Sequence, residues 1–165
     1  MMKHSISLEP LNDMQRQLND YIIRKKRLEG QDLWENTILA LRVELSEFAN
    51  EVKCFKHWSN KPMNRERALE EAADVLHFLL SVGIYLDEEV WEFDYRRVEP
   101  AFDCITSQFN QIFDAISTSL DIQEWRDVVE QFIELIYMIG FTLQQIAGAY
   151  IDKWKINIQR QESGY

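Results

Sequence analysis

Of the 165 residues only five are Gly and three are Pro, too few for the turn-dense chain of a β-sandwich or for a low-complexity segment. Cysteine is scarce as well. Cys54 and Cys104 share no C-x-x-C spacing, and a disulfide scaffold in an oxidising compartment would use more of them, so both read as reduced thiols on apolar helical patterns. Basic residues are outnumbered: 18 Lys and Arg against 28 Asp and Glu leave a formal charge of -10, which repels a nucleic-acid polymer from most of the surface. No uncharged run approaches the ~20 residues that span a bilayer, and Met1 to Pro10 lack a basic stretch followed by an apolar one. The expectation is a soluble, cytoplasmic protein with no membrane partner.

What is present is helical periodicity. The chain is 46% hydrophobic, and one domain over residues 1–165 would bury roughly 70% of its unfolded surface. Leu11, Met14, Leu18, Tyr21 and Ile22 predict a helix over 10–29 that Gly30 stops. Asp32 with Glu35 reads as an acidic capping box opening a second helix at 33–54. Asn64 caps a third at 65–86. Residues 87–100 predict a connection ending at Pro100, with a short helical turn around Val90 to Tyr95. Phe102, Ile105, Phe109, Ile112, Phe113 and Ile116 carry a fourth helix. Capping boxes at Asp121/Glu124 and Thr142/Gln145 open the fifth, closed by Gly140, and the sixth at 143–162. Six helices with short connections predict an all-α antiparallel bundle.

Two acidic pairs stand out on these helices: Glu44 with Glu47, and Glu71 with Asp74. A spacing of three residues is about one turn, so each pair projects from one face. Two such helices side by side would gather four hard oxygen ligands, a set for Mg²⁺ or its substitute Mn²⁺. The third helix is apolar nearly all round, so Glu71 and Asp74 are expected to be part-buried and to need a cationic partner. Asp74 with His77 has the D-x-x-H spacing of a di-iron bundle, but the second such helix is missing. Phe78, one turn beyond Asp74, is placed either to stack on a base or to pack in the core. Gln15 and Asn19 share one edge of the first helix; their amides fit the complement of a uracil edge, or simply solvate a boundary. Lys153, Asn157 and Arg160 share a flank of the sixth helix, suited to phosphates or to the negative end of the helix dipole.

Taken together, M-Q-R-Q-L-N-D at 14–20, E-L-S-E at 44–47, F-K-H-W at 55–58, E-E-A-A-D-V-L-H-F at 70–78 and Y-I-D-K-W-K-I-N-I-Q-R-Q-E-S-G-Y at 150–165 resemble the dimeric, all-α dUTPase family, related to MazG-like nucleoside triphosphate pyrophosphohydrolases. The resemblance implies a homodimer that hydrolyses dUTP, and dUDP, to dUMP. It implies that Glu44, Glu47, Glu71 and Asp74 hold Mg²⁺ on the phosphates, with Glu44 or Glu47 as the base. Gln15, Asn19, Trp58, His77 and Phe78 would surround uracil and deoxyribose, while Lys153, Asn157, Arg160 and Tyr165 would close over the phosphate tail. One departure is Trp154, which stands where family members often carry Asn after the Lys. The alternatives are a MazG-like enzyme for another nucleotide and a helical interaction module without activity.

Overall fold

A computed structural model describes residues 3–96 and 102–164, excluding the side chains of Lys3 and residues 102–104. Tyr165, the Pro100 break and the Cys104 thiol lie outside what is described. Its helices are α1 (Glu9–Lys26), α2 (Trp34–Val52), α3 (Arg65–Tyr85), α4 (Phe102–Ala115), α5 (Ile122–Ile139) and α6 (Leu143–Glu162). The six-helix expectation holds. No single helix among the described residues is long and apolar enough to cross a membrane.

The start signals behave as their chemistry requires at three of four helices. Asn64 accepts the Arg67 N–H at 3.2 Å, and both later capping boxes close reciprocally. The Asp32/Glu35 box does not form: the N-cap is Leu33, and Asp32 accepts instead from the Trp34 N–H and the Tyr85 hydroxyl. Helix α1 also ends early, at a left-handed Arg27 (φ 57°), with Gly30 in the turn that follows.

A larger correction concerns the segments either side of α1–α3. Residues Lys3–Ser7 form a strand, β1, paired antiparallel with β2 (Glu92–Arg96), so that Ile6 faces Phe93 and His4 faces Tyr95. No helical turn occurs at 90–95. Phe93 and Tyr95 are buried while Glu92, Asp94 and Arg96 are exposed, an alternation of period two that a helix cannot satisfy. Arg126 of α5 clamps this strand, donating to Glu88 Oε2 at 2.9 Å, to the Val90 carbonyl at 2.6 Å and to the Glu92 carbonyl, with its guanidinium over the Phe93 ring.

The core runs between α2, α3, α4 and α5, where Phe48 meets Phe109 and Phe132 edge-on and Trp125 is fully buried. Gly83 of α3 is required there, since a Cβ would lie 2.3 Å from the Trp125 ring. Helix α6 leaves α5 at a bend of 108° and returns across α1 and α3. That return brings the far end of the sequence to the site. Cys54 is a free, half-buried thiol at the edge of the core.

Candidate active site

Helices α2 and α3 pack along each other and carry the acids on facing turns. Carboxylate oxygens of Glu44, Glu47 and Glu71 lie within 4.8 Å of one another. Unit charges about 4 Å apart repel by about 4 kcal/mol at an effective dielectric of 20, so the trio is strained while fully ionised. Burial, and then Asp74, Glu47 and Glu71, push the Glu44 carboxyl up to about 7. Burial, followed by Asp74 and Glu47, raises Glu71 as well.

Asp74 stands apart from the trio. Its Oδ2 is 2.6 Å from Lys153 Nζ, a contact between α3 and α6. Burial raises its carboxyl even against the hydrogen bond and charge of Lys153. The four predicted acids are thus one neighbourhood with two arrangements: three carboxylates whose oxygens converge on one another, and a fourth paired with Lys153. An all-oxygen set with raised carboxyls fits a hard divalent cation, which would relieve the repulsion that burial has created.

One turn further along α3, Phe78 lines a cavity of about 200 Å³ with Asn19, Ile22, Ile23, Leu33, Thr37, Ser81 and Tyr85. This is small beside drug-sized sites and suits a single ring. Gln15 lies behind Asn19, and His77 behind Gln15, both buried. Burial holds the His77 ring down to about 4, so it is neutral at physiological pH. The loop after α2 keeps Trp58 away from the cavity: it is 67% exposed and packs edge-on against Phe55 and His57. On α6, Lys153 and Arg160 line a groove of about 390 Å³ with Glu66, Glu70 and Asp152, and Asn157 is half-buried. A second cavity of about 200 Å³, among Leu11, Leu76, Phe132 and Ile146, has no titratable group in its wall.

Sequence reasoning missed Ser81, Tyr85 and Tyr150. Ser81 had a signal, being the one hydroxyl in the apolar run 75–84 and one turn from His77. Tyr150 had none, because its partners lie on α1. Trp154, the departure from the family pattern, does structural work: its Nε1 donates to the Met14 carbonyl at 2.8 Å and ties α6 to α1.

Carboxylates that repel one another, beside a one-ring cavity and a cationic flank, are groups that a metal-assisted hydrolase of nucleotides would use. The particular family follows from the whole chain: a family model described as dUTPase matches residues 7–165, and the chain belongs to the dUTPase family. It is a dUTP diphosphatase, an enzyme of nucleotide metabolism. No curated protein matches the chain.

Proposed function

We propose that this enzyme requires Mg²⁺, hydrolyses dUTP to dUMP and pyrophosphate and dUDP to dUMP and phosphate, and works as a cytoplasmic homodimer. The observation that carries this reading is the convergence of Glu44, Glu47 and Glu71 about two helical turns from the cavity lined by Asn19 and Phe78. Glu44, Glu47, Glu71 and Asp74 would hold the cation. Charge neutralisation on phosphate and acidification of water are what it supplies when bound.

The chain's own groups do the rest. Phe78 offers a ring face to uracil, Asn19 an amide at its edge, with Gln15 and His77 behind. Glu44 or Glu47 orients water and takes its proton on a carboxylate oxygen as the water attacks in line. Lys153 exchanges Asp74 for a phosphate oxygen, and Arg160 can grip two such oxygens with its fork. Asn157 lies on the same flank. Trp58 and Tyr165 enter the reading on the family resemblance alone. No covalent intermediate is needed. Leu39 and Val43, exposed one turn apart on α2, support a self-association surface.

Pyrophosphate or phosphate release from dUTP, dUDP, dCTP, dTTP and GTP, with Mg²⁺ and with chelator, tests the reading. The expected result is turnover of dUTP and dUDP alone, abolished by chelator. Equal rates across the triphosphates, or undiminished rates in chelator, would overturn it.

A further inference from the structure

The second cavity, of about 200 Å³, takes its wall from β1, α1, α3, α5 and α6: Ile6, Leu11, Leu76, Phe132, Ile146 and Ala147 are the residues that define it. Well-packed interiors keep few voids larger than a water molecule, and a void costs stability in proportion to its volume. Side-chain choice leaves this one open. Helix α6 presents Leu143, Ile146, Ala147 and Tyr150 at i, i+3, i+4 and i+7 of one face, and Ala147 stops at a methyl where the other three are large.

The wall offers little to a water. Ser7 is its one polar side chain, and Ser7 Oγ accepts from the Glu9 N–H at 3.4 Å. Where β1 runs into α1 the backbone is already paired: the Leu8 N–H donates to the Trp91 carbonyl at 2.7 Å, and the Leu8 carbonyl accepts from the Leu11 and Asn12 N–H groups at 3.0 and 2.9 Å. The Leu11 carbonyl accepts the Tyr150 hydroxyl at 3.1 Å. An internal water needs about two to four partners, whereas a cavity of about 150 Å³ lined by Leu, Ile and Phe stays dry and takes up benzene or xenon. This cavity is larger than that and is lined by the same residue types.

We propose that it is a binding site for one small, uncharged apolar molecule, an aromatic ring or a branched hydrocarbon group of similar size. It shares no lining residue with the cavity of Asn19 and Phe78 and none with the acid cluster, so it stands whatever the nucleotide. A charged ligand is refused, because a carboxylate carried into this wall would lose its water and find no partner. The occupant touches α1, α3, α5 and α6 at once. Binding therefore favours the chain with α6 docked over any state in which α6 has come away.

Benzene is the probe, and benzoate its charged counterpart. In sealed thermal melts of the whole chain, benzene raised toward its solubility limit is expected to lift Tm by about 2–4 °C, and benzoate at the same concentration to leave it unchanged. Ala147→Leu fills the space from α6 and is expected to abolish the benzene shift while keeping turnover of dUTP, since Ala147 lies outside the acid cluster and the Asn19 cavity. Should that variant not fold, nuclear Overhauser contacts in the wild type decide: benzene protons are expected to meet the methyls of Leu11, Leu76 and Ile146. A wild-type melt indifferent to benzene, an equal shift from benzoate, an equal shift in folded Ala147→Leu, or contacts only to methyls outside the wall would each overturn the proposal.

Discussion

Glu44 lies beside two other carboxylates, and burial, followed by the charges of Asp74, Glu47 and Glu71, pushes its carboxyl up to about 7 from the ordinary 4.5. A pKa raised by folding contributes stability that is present below the unfolded value and lost as pH rises through the folded one. Glu44→Gln abolishes that loss. Without divalent cation, the variant is expected to melt above the wild type at pH 8, and the gap should close between pH 7 and pH 4.5. Buried His77 works in the opposite sense, losing stability as pH falls from 6.5 toward about 4. The measurement is therefore the difference between variant and wild type at each pH, in which the His77 contribution cancels. Glu47→Gln is expected to lower kcat by two or more orders of magnitude with little change in melting, since an amide is a poorer ligand and no base. Equal melting of Glu44→Gln and wild type at pH 8, or near-normal turnover by Glu47→Gln, would remove the acid cluster from the site. The acid pairs were legible in the sequence because three-residue spacing fixes a shared face on any helix. The pairing of Asp74 with Lys153 and the contacts of Gln15 with His77, Ser81 and Tyr150 were not, because they depend on how α1, α3 and α6 pack on one another.

Helix boundaries followed side-chain chemistry wherever the capping group had no better partner. Asp121, Thr142 and Asn64 cap as their spacing requires. Asp32 had the Tyr85 hydroxyl within 2.6 Å, and its box opened. The two strands escaped notice because five residues give periodicity little to work on, and β1 has its partner some 90 residues away. Two glycines inside helices make the same point about context. Gly83 of α3 lies against Trp125 and Trp91, whereas Gly148 of α6 faces open space. Gly148→Ala is expected to raise unfolding free energy by about 0.5–1 kcal/mol through helix propensity and a less free unfolded chain. Gly83→Ala makes the identical chemical change and is expected to lower it by about 1–3 kcal/mol, because the buried indole must move. Urea titrations of the pair check both; stabilisation by Gly83→Ala would mean that α3 does not pack on Trp125 as described.

At the scale of the whole molecule, a chain of net charge -10 binds a polyanion by concentrating its attraction in a few places. Divalent cation should therefore act on global stability as well as on turnover. A cation that binds only the folded state stabilises it by about 2.7 kcal/mol at a hundred times its dissociation constant. Millimolar Mg²⁺ is expected to raise the melting temperature, and Glu71→Gln and Asp74→Asn should each shrink the shift. A melting curve indifferent to Mg²⁺ would mean that the four acids do not act as one site.

The ties between α6 and α1 carry a consequence in time. Tyr150 reaches back 139 residues to Leu11 and 135 to Gln15, and Trp154 reaches back 140 to Met14. Chains fold from the N-terminus as they are synthesised, and contacts this distant close late. A nascent chain can therefore pair α2 with α3 and bring Glu44, Glu47 and Glu71 together before α6 has docked on α1. Residue 154 must leave the ribosome before α6 can close on Gln15 and Met14, so an interrupted translation product would pair α2 with α3 and lack the ties that hold α1.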